Sequence, residues 1–381
     1  MEIAVIPGEY QRSPEGHHVF VPNPLPPELD IEPRILGEIE EATHLLGQVE
    51  MCRTLLPNPN LLVYGSLRRE ALASSTIEGT IASPEELVLF QVARRSDREA
   101  VREVANYSVA LEWGCDELGR LPISTRLILG LHERLLHGVR GSSAAGRFKD
   151  RQNYIGANQD TPIEEAVFVP PPAEEVVRLM TDLERYVNLG NAAPRLVRCA
   201  LVHYQFETIH PFGDGNGRVG RLLIILHLMQ LGLLSAPLIH PSVYFERTRQ
   251  DYYQSLQAVR DKAGWNEWIE YFVIAIAQQS RETVQLAQAL LNLQQTLRQD
   301  IADVRKRAST QAALEAFFDE PVLSISEVAR RTGLSYGSAK GAVETLETRG
   351  IAREITGRKK GRAYACSPIL NAIFPGAGEQ R

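Results

Sequence analysis

The sequence IHPFGDGNGRVGR, Ile209–Arg221, decides how the centre of this chain folds. Three of its glycines fall within five residues, so the backbone can take positive-φ conformations that a side chain would block. The run RLLIILHLMQL follows at residues 221–231 and is apolar almost all round, which predicts a buried helix from Arg218 to Leu231. The first turn of this helix begins at about Asn216 or Gly217, so the glycines form a tight loop at its N-terminus.

The backbone amides of this loop can bind an anion. They lie at the positive end of the helix, which favours phosphate oxygens. Arg218 and Arg221 are three residues apart and share a helix face, and two guanidinium groups above the amides suit a polyphosphate. Asp214 offers the oxygen ligand that a phosphate-bound Mg²⁺ takes from protein. The unperturbed pKa of a histidine is near 6.5, which suits His210 to remove a proton at neutral pH.

A plainer interpretation is that the loop only connects two helices and that His210 is structural. A connecting turn has no reason to gather a histidine, an acid and two arginines around one group of amides, so we favour the functional interpretation. The common nucleotide-binding folds do not fit. The sequence contains neither G-x-x-x-x-G-K-[ST] nor a G-x-G-x-x-G that follows a strand.

The run HPFGDGNGR resembles, without a mismatch, the signature H-P-F-x-[DE]-G-N-[GK]-R of the Fic-domain family. The flanks HYQFE and VGRLLI are also similar, and the resemblance extends over roughly residues 71 to 278. It implies a mainly α fold, a Fic-type helical bundle with a short β-hairpin flap. It also implies a nucleotidyltransferase, an AMPylating enzyme that transfers AMP from ATP to a Ser, Thr or Tyr hydroxyl of a target protein, which could be the protein itself.

The resemblance also implies roles for single residues. His210 is the base that deprotonates the attacking hydroxyl, and Asp214 holds Mg²⁺ on the α and β phosphates. Arg218 holds the β-phosphate. The anion nest consists of three consecutive residues, of which the second lies near the α-phosphate: Gly215, Asn216 and Gly217. Tyr253, in DYYQSL, occupies the place where similar proteins contact the adenine end of the nucleotide, although an aromatic side chain on a helix is more usually part of the core.

The segment AGRFKDRQNYIGANQDTPIEEAVFVPPP interrupts the helical pattern and predicts a short hairpin. Part of it, RFKDRQNYIG, resembles the flap with which family members align the backbone of the target by strand pairing. An ordinary surface hairpin is the alternative. Four residues form the predicted flap edge: Asn153, Tyr154, Ile155 and Gly156.

A second short run, SSTIEG at Ser74–Gly79, matches the inhibitory pattern [ST]-x-x-x-E-[GN] of the same family. Alone it would mean little, because Glu-Gly is a common helix end. Ser74 and Glu78 are one turn apart and share a face. A Glu78 carboxylate paired with Arg221 would occupy the guanidinium that the γ-phosphate otherwise engages. Ser74, Glu78 and Gly79 therefore form a predicted inhibitory segment.

Length and composition limit the number of domains, the possible partners and the cellular location. At 381 residues the chain exceeds one typical domain. We predict an N-terminal helical region with the inhibitory helix at 1–95, a Fic core at 96–280, a connector helix at 281–308 and a winged helix-turn-helix at 309–381. A net charge of −6 argues against overall attraction to nucleic acid, and the four scattered cysteines indicate a reducing compartment. No signal peptide or membrane span is evident, so we expect a soluble, cytoplasmic protein.

Helical periodicity predicts the remaining elements. It covers Glu32 to Leu55, a segment from Leu61, and the stretches 83–118, 124–137, 173–189 and 194–208, and it continues into a Gln-rich helix that ends near Arg307. Four prolines in VPNPLPPELD predict an extended entry segment before the first helix.

The C-terminal segment reads as helix, then helix-turn-helix, then two strands around a basic turn, which is the order of a winged helix-turn-helix. In its second helix Lys340 is offset by Glu344 and Glu347, a poor composition for contact with phosphates. The turn GRKKGR is strongly basic, with Arg353 nearby, and its cations are Arg358, Lys359, Lys360 and Arg362. DNA binding through this wing, protein docking or homodimerisation, and a solvated basic turn are the open interpretations.

Two alternatives to the adenylyltransferase remain. One is another reaction at the same site, either removal of AMP from a modified protein, with Glu78 orienting water, or transfer of a different nucleotide. The other is a transcription regulator whose Fic-like core only senses nucleotide. A sensor needs the amide nest but no base, so the presence of His210 with Asp214 and Arg218 disfavours it.

Overall fold

The structure is a computed structural model that describes residues 7–93, 96–156, 161–189, 192–358 and 361–375. It is mainly helical. The helices are α1 Pro33–Leu55, α2 Asn60–Ile77, α3 Pro84–Ala93, α4 Glu99–Leu118, α5 Thr125–Leu135, α6 Ala173–Leu189, α7 Arg195–Ile209, α8 Asn216–Gln230, α9 Pro241–Arg247, α10 Arg249–Lys262, α11 Trp265–Asp300, α12 Arg307–Asp319, α13 Ile325–Thr332, α14 Tyr336–Thr348 and α15 Ser367–Ile373. The strands are β1 Gly8–Arg12, β2 His18–Pro22, β3 Val322–Ser324, β4 Ala352–Glu354 and β5 Ala363–Cys366.

Helix α8 lies at the centre of the core, as its all-round apolar sequence predicts. Leu222, Ile225 and Leu226 have no exposed surface, and α8 packs against α7, α4, α5 and α2. Burial of one such side chain stabilises the fold by about 1.5–3 kcal/mol. The position of α8 also fixes the position of the glycine loop, because the loop is the direct continuation of its first turn.

The helical predictions hold, with shifted boundaries. Ser124 caps α5 by accepting a hydrogen bond from the Leu127 amide (3.3 Å), which agrees with the predicted start of the stretch 124–137. The periodic stretch 83–118 forms two helices, α3 and α4, rather than one. The Gln-rich helix ends at Asp300, earlier than predicted, and it is continuous with the core because α11 begins at Trp265.

The N-terminal segment contains a hairpin that the sequence did not predict. Strands β1 and β2 pair antiparallel, with Tyr10 opposite Phe20. The Phe20 amide donates to the Val169 carbonyl (2.9 Å), which attaches the hairpin to the segment after the predicted flap. The run HVFVP is buried along four residues and shows no polar–apolar alternation, so it lacked the usual strand signal. The predicted extended entry VPNPLPPELD is non-helical throughout, since it begins at the end of β2 and the first helix starts at Pro33.

The predicted flap hairpin is reduced to one antiparallel bridge within the described residues, between Ile155 and Phe168. The Ile155 amide donates to the Phe168 carbonyl (2.8 Å) and the reverse bond measures 3.2 Å. Residues 157–160 lie outside the described residues. A 3-10 turn at Ile163–Glu165, preceded by Pro162, takes the returning chain out of the extended conformation and limits the pairing.

The C-terminal segment follows the predicted order of elements, from α12 and β3 through α13 and α14 to β4 and β5. The three strands form an antiparallel sheet in the order β3-β5-β4. Lys359 and Lys360 of the basic turn lie outside the described residues, and DNA binding by a winged helix stays a prediction. On α14 the Lys340 ammonium lies 3.6 Å from Glu344, so the predicted charge compensation is present.

The C-terminal elements share the core with the rest of the chain. One cluster of buried apolar side chains extends from Val19 to Phe374. Gln91 on α3 donates to Glu320 after α12 (2.6 Å), and Ile373 packs against the Gly65 backbone on α2. The domain boundaries given above therefore stay a proposal about folding units. Among the helices of the described residues, none is both long and apolar enough to span a membrane.

Candidate active site

The glycine loop is held by one asparagine side chain. Asn216 accepts a hydrogen bond from the Phe212 amide and donates one to the Phe212 carbonyl, both at 2.8 Å. Its side chain is buried, so the amide group supports the loop and does not face a ligand. Gly215 lies at φ 82, which an L side chain adopts only with strain, and α8 begins at the next residue. The loop therefore presents backbone amides, as the sequence predicts.

His210 lies at the end of α7 with φ 49, a left-handed conformation that turns its ring away from the helix. Nδ1 lies 3.2 Å from the Glu207 carbonyl and can only donate to it, which assigns the proton to Nδ1 and leaves the Nε2 lone pair available. Within the described residues Nε2 has no hydrogen-bond partner. Burial, and then the Lys149 cation, lower the pKa of His210 to about 4, so the imidazole is a neutral base at physiological pH.

Arg218 lies on the side of α8 that faces α4. Its Nη1 donates to Glu103 (2.9 Å) and its Nη2 donates to Asp214 (3.2 Å). The guanidinium is 2% exposed. Two carboxylates thus hold Arg218 beside the loop, where it can reach a phosphate bound by the amides.

Arg221 faces α2 instead. Its Nε donates to Ser74 Oγ (2.8 Å), and its Nη2 donates to the Ser74 carbonyl (2.9 Å) and to Glu78 Oε1 (2.7 Å). The contact predicted from SSTIEG is therefore present in the structure. Burial alone would raise the pKa of Glu78, but the Arg221 charge outweighs it and holds that pKa below its ordinary value of 4.5.

Two glycines allow Glu78 to reach this position. Gly79, at φ 83, turns the chain after α2. A Cβ on Gly217 would overlap Glu78 Oε1, so the carboxylate lies directly against the bare backbone of the first turn of α8. The Glu78 carboxylate thus pairs with the Arg221 guanidinium and also covers part of the predicted anion nest.

Asp214 fits the ligand set of a phosphate-bound Mg²⁺. Its side chain is 37% exposed, and its Oδ1 accepts hydrogen bonds from Gly215 (2.6 Å) and Arg218 (3.2 Å). Its Oδ2 lies 3.8 Å from Arg140 Nε. No group of three or more acidic, His or Cys side chains within the described residues could hold a metal by itself. A single exposed carboxylate suits Mg²⁺ that takes its other ligands from phosphates and water.

A cavity of about 480 Å³ lies beside the histidine and below the bridge. Glu78, His210, Gly217 and Arg221 line one side of it. The predicted flap residues Tyr154, Ile155 and Gly156 and the predicted adenine contact Tyr253 line the other. The structure thus brings together residues from four separate parts of the sequence around one space.

Asn153 differs from the other predicted flap residues. Its Nδ2 donates to the carbonyls of Phe212 (2.8 Å) and His210 (3.3 Å), and its Oδ1 accepts from Lys149 (2.6 Å). It supports the backbone around the histidine and does not line the cavity.

Tyr253 and its neighbour Tyr252 have different surroundings. Tyr253 is 44% exposed, with the Arg249 guanidinium 5.8 Å from its ring. Tyr252 is buried, and its hydroxyl lies 2.7 Å from His203 Nε2. The exposed ring is free to stack on a base, whereas the buried ring belongs to the core.

Sequence reasoning missed several buried charged groups near the site, among them Glu103, Lys149 and Glu207. Burial lowers the pKa of Lys149 to about 7, and burial raises the pKa of Glu207 to about 7 in spite of the nearby Arg221. Glu207 lies one turn before His210, within HYQFE, and that spacing was the only signal for it. Lys149 follows Phe148 in a polar stretch that gave no indication of burial.

Residues 122–228 match the model of the Fic/DOC family, and residues 36–116 match the model of the Fic/DOC family N-terminal region. Residues 122–228 are thus a Fic/DOC family domain, preceded by the N-terminal region of the same family. Over 136 residues the chain is 35% identical to protein adenylyltransferase fic-1 of Caenorhabditis elegans, and the aligned part covers 35% of this chain and 23% of that relative. Over 144 residues the chain is 32% identical to protein adenylyltransferase Fic of Drosophila melanogaster, and the aligned part covers 37% of this chain and 26% of that relative. The chain thus spans about a quarter of the length of the curated relatives it matches.

Solved structures agree with the fold. A Fic family protein from Desulfovibrio desulfuricans aligns with a TM-score of 0.60 at 22% identity, covering 90% of this chain and 98% of that one. A Fic domain containing signaling protein from Bacteroides thetaiotaomicron aligns with a TM-score of 0.52 at 21% identity, covering 65% and 95%. The predicted mainly α, Fic-type fold is confirmed.

Proposed function

We propose that this protein is a protein adenylyltransferase, which transfers AMP from ATP to a Ser, Thr or Tyr hydroxyl of a target protein. The observation that carries the proposal is the joint placement of a neutral histidine and a helix N-terminus of bare amides on one cavity. Relatives named protein adenylyltransferase, similar over the Fic domain, add support.

The reaction needs a base and a site for negative charge. The Nε2 lone pair of His210 takes the proton of the target hydroxyl as its oxygen attacks the α-phosphorus of ATP. The new oxygen–phosphorus bond forms while the bond from the α-phosphorus to the bridging oxygen breaks, and pyrophosphate leaves. No covalent intermediate on the protein is required, so positioning and charge neutralisation account for most of the rate.

The phosphates are positioned by the loop. The amides of Gly215, Asn216 and Gly217 bind the α-phosphate, and Arg218 approaches the β-phosphate from the side of α4. Asp214 would hold Mg²⁺, which neutralises phosphate charge and helps pyrophosphate to leave. Asp214 can offer the metal its Oδ2, which lies 3.8 Å from Arg140 Nε, while Oδ1 keeps its hydrogen bond to Arg218. We expect ATP and metal to bind together, because one carboxylate supplies only part of the ligand set.

Glu78 inhibits the same site. With its carboxylate on Arg221 and against Gly217, the γ-phosphate has no free guanidinium and the triphosphate cannot align for in-line attack. Movement of Glu78 out of this position would free the Arg221 guanidinium and allow the triphosphate to align. Because α2 carries Ser74 and leads into Glu78, movement of one helix end is sufficient.

An assay that follows the transfer of radioactively labelled AMP tests the proposal. The purified protein is incubated with ATP labelled at the α-phosphate, and transfer to protein is followed on gels and located by mass spectrometry as an added AMP. We expect label with Glu78→Gly and none after His210→Ala in either background. Incubation with an AMP-modified target and with other nucleoside triphosphates covers the reverse reaction and nucleotide choice. Transfer that persists after His210→Ala would refute the assigned mechanism.

A further inference from the structure

One carboxylate oxygen connects the inhibitory segment to the arginine that we assign to the β-phosphate. Glu103, on α4, is buried. Its Oε2 accepts a hydrogen bond from Arg218 Nη1 (2.9 Å) and a second one from Thr80 Oγ1 (3.0 Å). Thr80 is the second residue after Glu78. A single acceptor therefore contacts both the arginine of the phosphate site and the chain that carries the inhibitory acid.

Glu103 and Asp214 hold Arg218 from different surroundings. The Asp214 side chain is partly exposed, so water competes for its contact with the guanidinium (3.2 Å), and we assign the same carboxylate to Mg²⁺. The Glu103 side chain is 10% exposed, and its contact is shorter. A charge-assisted hydrogen bond is stronger where water is excluded. Glu103 is therefore the firmer of the two contacts, and the orientation of the guanidinium depends mainly on it.

Thr80 fastens the end of the inhibitory segment to α4. Gly79 turns the chain after α2, and the Thr80 amide donates to the Ser75 carbonyl (2.9 Å), which closes the turn. The Thr80 hydroxyl then donates to Glu103, 23 positions further along the chain. Glu78 lies within this closed turn. Movement of the helix end away from α8 would therefore also break the bond between Thr80 and Glu103.

We propose that Glu103 is a positioning residue that acts through one oxygen in both states of the enzyme. In the released state it orients Arg218 toward the β-phosphate. In the inhibited state the same oxygen also retains the inhibitory segment through Thr80. Glu103 does not touch the nucleotide and acts only through these two side chains. This inference rests on the proposed function.

The first experiment isolates the contact with the β-phosphate. Binding of ADP and of AMP, each with Mg²⁺, is measured by calorimetry on the full chain carrying Glu78→Gly and His210→Ala, so that no nucleotide is consumed. Glu103→Gln should weaken ADP binding about fivefold or more and AMP binding less than about twofold, because only ADP has the phosphate that Arg218 contacts. A general structural defect would weaken both. Glu117→Gln, the same change near the end of α4, is the matched control.

The second experiment isolates the contact with the inhibitory segment. Thr80→Val removes the hydroxyl with little change of shape and leaves Glu103 paired with Arg218. The initial rate of label transfer should rise about threefold or more over that of the wild type. The same change should alter the rate of Glu78→Gly less than about twofold, because no inhibitory acid remains to be retained. Thr76→Val is the matched control, since its hydroxyl donates to a carbonyl of its own helix (2.9 Å).

The outcomes are distinguishable. An ADP preference over AMP that is unchanged or larger in Glu103→Gln would overturn the inference, because Arg218 would then bind phosphate without its help. A rate that Thr80→Val leaves unchanged in the wild type, or raises equally in both backgrounds, would also overturn it.

A further variant covers failure of Glu103→Gln to fold. Glu103→Asp keeps the charge at a shorter reach, and it should retain part of the ADP preference; full retention would count against the inference. If the parent protein bound ADP no better than AMP, the inference would fail and the adenylyltransferase proposal would stand. Failure of the parent protein to bind ATP at all would overturn both.

Discussion

Replacement of Glu78 by glycine should release the enzyme. The substitution removes the carboxylate from Arg221 Nη2, 2.7 Å away, and clears the backbone of Gly217. Ser74 still accepts from Arg221 through its hydroxyl and carbonyl, so the guanidinium stays positioned for a phosphate. The site then holds the same groups as before, with the competing acid gone.

The size of the effect follows from the lost pair. A hydrogen bond between charged groups contributes about 1.5–3 kcal/mol. Arg221 is 1% exposed but Glu78 is 34% exposed, so solvent screening favours the lower end. About 1.5 kcal/mol corresponds to roughly tenfold in an equilibrium. We expect AMP transfer by Glu78→Gly to exceed that of the wild type by about tenfold or more.

The assay compares initial rates of label transfer at matched ATP and Mg²⁺. Glu78→Gln, which keeps the shape but not the charge, should give an intermediate rate. Glu347→Gly makes the same chemical change near the end of α14, on an exposed position, and should leave the rate unchanged. Equal rates for the wild type and Glu78→Gly would show that the Arg221 contact does not restrain the reaction.

Three further outcomes are expected. Lys149→Met removes a cation that lowers the pKa of His210, so the acidic limb of the rate–pH profile should lie at higher pH in the released enzyme with Lys149→Met than in the released enzyme alone; an unmoved limb would contradict the assigned coupling. Ser74→Ala leaves a buried Arg221 N–H without its acceptor and should lower the free energy of unfolding by about 1–3 kcal/mol, measured by thermal or denaturant unfolding. The control Ser75→Ala removes a buried hydroxyl that has no partner among the described residues and should lower the free energy of unfolding by less. Gly220→Ala places a Cβ on the oxygen of a neighbouring acid and should lower stability by about 1–3 kcal/mol, with a melting temperature equal to wild type as the contrary result.

The inhibitory contact is not expected to respond to physiological pH. The pKa of Glu78 is held below its ordinary 4.5, so the pairing with Arg221 is fully present above that value and is lost only as pH falls through the lowered pKa. If the contact inhibits as proposed, we expect release from movement of the end of α2 rather than from titration of Glu78. The C-terminal elements contact that helix, since Arg68 and Tyr64 on α2 both donate to Gln91 Oε1 (3.2 Å), whose amide nitrogen donates to Glu320.

The loop and α8 could be predicted because their signals are local. Bare backbone before an apolar run predicts the turn, the helix start and the amide nest without reference to the rest of the chain. The contact between Glu78 and Arg221 spans 143 positions, and no local property of SSTIEG indicates it. Only the resemblance to a family pattern linked the two segments.

Other features depend on tertiary packing and gave no such signal. The buried Lys149 and Glu207 are ordinary charged residues in sequence, and only the helices packed around them perturb their pKa values. The hairpin β1–β2 owes its burial to the segment at Phe168 and Val169, which is more than 140 residues away. The predicted short flap hairpin appears among the described residues as the bridge between Ile155 and Phe168, and a 3-10 turn at Ile163–Glu165 precedes its second side.

The sequence GNGRVGR has a further property that the signature of the family does not express. Gly220 and Arg221 follow Gly217 by three and four residues, so both lie on the face of α8 that carries Gly217. Glu78 lies against the first glycine and Glu207 against the second, with the guanidinium near both acids. Two carboxyl groups from different helices can approach one helix only where it has no side chains. The same glycines that are predicted to expose amides to phosphate therefore also admit two carboxyl groups, that of Glu78, which we propose inhibits the site, and that of Glu207.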